Sequence, residues 1–119
     1  MNWYMVKIVF RIICGDGDHK AQFDEQLRLI HAGTASEALS KAAAIATDEE
    51  EVFINNNRKL VQWKFINVSE LHKINALIDG AELYSRIQES ENATLYIENI
   101  NKRAAYLRTN TEHSILQTY

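Results

Sequence analysis

The chain has 119 residues, of which 46% are hydrophobic and one is cysteine, with a net charge of −3 and a pI near 5.8. That length fits one domain with a core large enough to fold without metals or disulfides. The lone cysteine excludes an internal bridge and fits a reducing, cytoplasmic setting, and the acidic balance argues against a nucleic-acid binder, whose phosphate contacts need a basic face.

Trp3 to Cys14 is the most apolar and β-branched stretch, and it predicts a strand. Tyr4, Val6, Ile8, Phe10, Ile12 and Cys14 share one face, while Trp3, Met5, Lys7, Val9, Arg11 and Ile13 take the other. Apolar side chains on both faces belong in the middle of a sheet, so the strand is expected to be central and Cys14 to be a buried small hydrophobe. The apolar run starts without a basic leader and is cut by Lys7 and Arg11, so neither a signal peptide nor a membrane span is expected.

Gly15-Asp16-Gly17-Asp18-His19-Lys20-Ala21 reads as a hairpin turn. Its two aspartates and histidine suggest a metal. A calcium loop, however, needs a closing bidentate Glu at its twelfth position, where this chain has Leu27, and no metal or cofactor is expected. From Gln22 to Ala32 a return strand places Phe23, Leu27 and Leu29 on one face and Gln22, Asp24, Gln26 and Arg28 on the other. Glu25 and His31 fall on the apolar face, about 20 Å apart along a strand, too far to act as a dyad. A carboxylate there must be paired, hydrogen-bonded or open to solvent.

Thr34-Ala35-Ser36-Glu37 is a capping box that starts a helix. Its stripe runs through Ala38, Leu39, Ala42, Ile45, Ala46, Val52 and Phe53, and Asn55-Asn56-Asn57 is expected to end it. The acids Asp48, Glu49, Glu50 and Glu51 fall at the unfavourable end of the helix dipole. Lys59 to Leu71 predicts a third strand in which Val61, Trp63 and Phe65 alternate before Ile66 and Val68 take the opposite parity, so a bulge is expected near Phe65 and Ile66. The nearby Arg58, Lys59 and Lys64 read as a solvated edge. After an apolar connection the Asp79-Gly80 turn leads to a fourth strand, Ala81 to Gln88. A second helix, Glu91 to Leu107, has Lys102, Arg103 and Arg108 placed to suit its C-terminal dipole.

The expected fold is therefore α+β: a four-stranded antiparallel sheet of order 2-1-3-4 built as ββαββα, with two helices mainly on one face. The domain covers residues 1–108, and residues 109–119 form a mobile tail. If Val6, Ile8, Phe10 and Ile12 lie under the helices, Trp3, Met5, Val9 and Ile13, with Ile30 from the neighbouring strand, form an apolar patch on the other side. Such a patch predicts an isologous homodimer.

Trp3-Tyr4 with Lys7, the acidic strand around Asp24-Glu25, the Ser36-Glu37-Ala38-Leu39 helix start and Asp79-Gly80-Ala81-Glu82-Leu83-Tyr84-Ser85-Arg86 together resemble the bacterial family named domain of unknown function 4288. The resemblance spans roughly Asn2 to Gln88. It implies an intracellular bacterial protein and supplies no reaction, substrate or catalytic residue.

No Gly-x-Ser-x-Gly elbow, phosphate-cradling glycine loop, His-Glu-x-x-His or cysteine pair is present. An active site, if folding assembled one, would draw on Glu25, His31, Asp79, Glu82 and Tyr84. A convincing core without recognisable chemistry predicts a non-enzymatic protein-interaction module. The alternatives are an immunity or antitoxin-like protein and a small enzyme with an acidic site.

Overall fold

The computed structural model describes residues 1–118, and side-chain surroundings through residue 111. Two compact units divide the chain, Met1–Ser85 and Arg86–Tyr119. The first is a four-stranded antiparallel sheet with one helix, made of β1 (Asn2–Cys14), β2 (Gln22–Ala32), α1 (Ala35–Asp48), β3 (Glu51–Ile54) and β4 (Leu60–Ile74). The second contains α2 (Ala93–Thr118). Among the described residues no helix is long and apolar enough to cross a membrane.

β1 is central, as its two apolar faces require, and pairs antiparallel with both β2 and β4. Tyr4, Val6, Ile8 and Phe10 form the floor of the core, joined by Ile30 and Ala32 of β2 and capped by Ala38, Ala42 and Ala46 of α1. Those three alanines recur every four residues and are fully buried, so the helix backbone lies close on the sheet. Ile45, Trp63, Phe65, Val68 and Leu71 close the sides.

The capping box forms at the expected place. Thr34 Oγ1 accepts from Glu37 N at 3.2 Å, and Glu37 Oε2 reaches back to accept from Gly33 N at 3.0 Å. A side chain at Gly33 would place its Cβ 2.9 Å from that carboxylate oxygen, so a glycine is what lets it approach. The parity switch near Phe65 and Ile66 is a bulge: Val9 faces Asn67 while Phe10 faces Phe65, leaving Ile66 without an opposite residue. A second slip skips Ser69.

The strand order is β2-β1-β4-β3, where the sequence reading expected 2-1-3-4. The stretch Leu60–Ile74 takes its expected place beside β1, and the difference lies in the strand beyond it. α1 stops at Asp48, with the Glu49 amide donating to the carbonyls of Ile45 and Ala46. Val52 and Phe53, expected on the helix stripe, belong instead to β3, which forms a hairpin with β4. The physical reason is twofold: consecutive acids repel at the negative helix end, and Val-Phe-Ile is a β-favouring run. The asparagines form the hairpin loop rather than a helix stop. Asn55 Oδ1 accepts from Asn57 N at 2.9 Å and from Lys59 N at 3.0 Å, while Arg58 adopts φ 60°.

With β3 on that edge no place beside β4 remains, and residues 81–88 are not a strand. The turn before them does form: Ala81 N donates to Ile78 O at 3.0 Å, with Gly80 at φ 84°. In the second unit, Asn92 Oδ1 accepts from Leu95 N at 3.0 Å and opens α2. The helix runs past Leu107 to Thr118, through most of the stretch expected as a tail, and Tyr119 lies outside the described residues. Lys102, Arg103 and Arg108 therefore sit in the body of the helix, and the end-of-helix dipole does not explain them.

Candidate protein-interaction surface

The register decides which side chains face α1. Tyr4 pairs with Ile30, Val6 with Arg28, Ile8 with Gln26 and Phe10 with Asp24, so even-numbered positions of β1 and β2 share the helix side. Trp3, Met5, Lys7, Val9, Arg11 and Ile13 therefore share the opposite side with His31, Leu29, Leu27, Glu25 and Phe23.

This overturns one expected interface residue. Ile30 lies on the helix side and is buried in the core, not on the outer patch. In exchange Phe23, Leu27 and Leu29 of β2 point away from α1. Phe23, Leu27 and Leu29 are 54%, 60% and 51% exposed, and Trp3 beside them is 38% exposed. Val9 and Ile13 are half-buried on the same side.

Met5 also lies on that side yet is buried. Its neighbour on β4 is His72, whose ring packs against Tyr84 at a tilt of 55°, with centroids 4.6 Å apart. The segment after β4 thus returns over this end of the face, leaving His72 Nε2 shielded and without a hydrogen-bond partner among the described residues. The Phe23, Leu27 and Leu29 strip remains open.

On the outer side Lys7 is paired within the face. Lys7 Nζ lies 3.2 Å from Glu70 Oε2 and 3.9 Å from Glu25 Oε1. Glu25 is largely exposed, which resolves how a carboxylate sits among apolar neighbours: the face is open to water and a lysine stands beside it. His31 stacks on Trp3, centroids 4.4 Å apart and planes 23° apart, and its carbonyl accepts from Lys41 Nζ at 2.9 Å. Asp79 and Glu82 are exposed in the segment after β4. Among the described residues no hydrogen bond or ion pair joins any two of Glu25, His31, Asp79, Glu82 and Tyr84.

The helix side carries a polar network that sequence reasoning missed. Trp63 Nε1 and Gln26 Nε2 both donate to Asp24 Oδ2, at 3.2 and 2.6 Å. Arg28 donates to Gln26 Oε1 and grips Glu49 through two bonds of 2.7 and 2.8 Å. The hydrogen bond from Arg28 lowers the Glu49 carboxyl below its usual range and raises the guanidinium in turn. The network borders a cavity of about 670 Å³ floored by Phe10, Phe53 and Trp63 and rimmed by Asp24, Asp48, Glu49 and Glu51. Carboxylates over aromatic faces attract cations and repel anions. The only sequence signal for this network was the polar alternation Asp24, Gln26, Arg28, and that does not name its partners 21 and 39 residues away.

A second cavity, of about 680 Å³, lies against the β1–β2 loop. There His19 is committed to the loop itself: Cys14 N donates to its Nε2 at 3.0 Å, so Nδ1 carries the proton and donates to Lys20 O at 2.8 Å. Among the described residues no three metal-ligating side chains gather.

The sequence model of the family described as Domain of unknown function (DUF4288) matches residues 3–85. No curated protein and no solved structure matches the chain.

Proposed function

Because the chain belongs to the DUF4288 family, whose description carries no activity, we propose a function from the surface itself. The protein is a non-enzymatic interaction module that works through the uncovered side of its sheet, in the reducing cytoplasm, and a second copy of the chain is its partner there. The observation that carries this reading is the strip of Phe23, Leu27 and Leu29, each more than half exposed along one strand and continued by Trp3. An apolar strip with polar surroundings marks a contact surface, and a second copy is its commonest occupant.

Light scattering on the full chain at micromolar concentration tests it. The expected mass is twice the 13.7 kDa of one chain. Leu27→Asp, at an exposed position that the fold does not need, should return it to the monomer value with an unchanged circular dichroism spectrum. A wild-type chain that stays monomeric would overturn the reading.

A further inference from the structure

β2 is an edge strand. The sheet order leaves β2 and β3 outermost, and β3 spans only Glu51–Ile54 whereas β2 spans Gln22–Ala32. Proteins blunt such edges with short strands, charged side chains, prolines, bulges or a covering element; the charges that β2 carries, Asp24, Glu25 and Arg28, are of both signs and can oppose one another across a two-fold axis. β2 has no proline, and its pairing with β1 runs from Ile12↔Gln22 to Asn2↔Ala32 without a slip. Apart from its bonds to β1, no other backbone group bonds to β2 among the described residues. The lysine on the His31 carbonyl covers only one end.

We propose that a second copy adds edge-on at β2, the two strands pairing antiparallel about a two-fold axis through Gln26 to make one eight-stranded sheet. The inference rests on the reading that the chain self-associates through the β2 strip, and it specifies how. A two-fold axis that joins two antiparallel edges into one sheet stands perpendicular to it, so each face meets its own kind: helix side beside helix side, apolar strip beside apolar strip.

The charges of β2 select the register. With the axis at Gln26, Asp24 faces Arg28 of the second copy twice over, and on the outer side Phe23 faces Leu29 while Glu25, 61% exposed, lies opposite Leu27 with its carboxylate in water. With the axis at Asp24, Glu25 or Arg28, a charge meets its own like directly across, which is unfavourable. With the axis at Leu27, Asp24 faces Ile30 and Arg28 faces Gln26, so neither charge meets its opposite. Both charged groups keep capacity for the new bonds: Asp24 uses only Oδ2 within the chain, and Arg28 uses only its two terminal nitrogens.

Two measurements on the full chain test the proposal. Asp24→Arg and Arg28→Asp should each weaken the homodimer about tenfold by placing like charges opposite one another. An equimolar mixture of the two variants should dimerise as wild type does, because only the mixed pair restores both contacts. Rescue by mixing cannot come from a defect in either fold. In a Cys14→Ser background, Gln26→Cys sits on the axis and should give a disulfide-linked dimer under mild oxidation, since opposed residues in paired strands lie about 5 Å apart. Gln22→Cys lies eight positions from its own copy, about 26 Å, and should not. A dimer with no rescue on mixing, or one that cross-links at position 22 as readily as at 26, overturns the edge-on arrangement and leaves the contact surface standing. A wild-type monomer overturns both.

Discussion

Replacing Phe10 by alanine probes the core where it is most enclosed. The ring is 1% exposed, lies on the central strand under the alanine stripe of α1, and meets Phe65 edge-on with centroids 6.1 Å apart. Truncation loses the transfer energy of the ring and leaves a cavity that the close-packed helix can only partly fill, a cost of about 3 to 5 kcal/mol. Edge-to-face pairing with Phe65 contributes roughly 0.5 to 1.5 kcal/mol of contact beyond area burial, which favours the upper half of that range. A domain of this size has a total stability of about 5 to 15 kcal/mol, so the variant should be severely weakened. Urea melts followed by circular dichroism, with wild type in parallel, give the difference directly. Leu39→Ala is the internal control, because Leu39 is 42% exposed and outside the core cluster. It should cost under about 1.5 kcal/mol. A loss below about 1 kcal/mol for Phe10→Ala, or one no larger than that of Leu39→Ala, would refute the assignment of this face as the core.

Ala42→Leu should lower stability by about 1 to 3 kcal/mol through overpacking, because Ala42 is fully buried where α1 lies against the sheet; thermal melts check it. Glu49→Gln removes an exposed ion pair and should cost less than about 1 kcal/mol, with the difference shrinking as salt is added. The pH dependence has a definite sign. Arg28 holds the Glu49 carboxyl below its unfolded value, so the pair stabilises fully above the unfolded pKa and loses its contribution as pH falls through the folded one. The stability gap between wild type and Glu49→Gln should therefore close on the acid side of the carboxylate range, and a gap that widens there would contradict the bond.

Much of the architecture is written in local pattern. Apolar side chains on both faces of Trp3 to Cys14 demanded a central strand, and Thr34 with Glu37 marked the helix start because capping is a matter of adjacent backbone groups. The bulge at Ile66 was legible because an extra residue must reverse the alternation that follows it. Short apolar runs are different. Val52 and Phe53 continue the helical stripe in spacing while Val-Phe-Ile favours a strand in composition, and the strand that formed pairs with β4.

The face of β2 is the clearest case of tertiary control. Its alternation is plain in sequence, but alternation names two faces without saying which is inward. The pairing of Ile12 with Gln22 across the loop fixed that parity, buried Ile30, and turned Phe23, Leu27 and Leu29 outward. The same choice brought Asp24 to Trp63 and Arg28 to Glu49, contacts between distant segments that no local spacing encodes. The set of side chains available to form a surface is a property of the sequence; which of them become that surface depends on strand register, because a shift of one residue exchanges every inward side chain for an outward one.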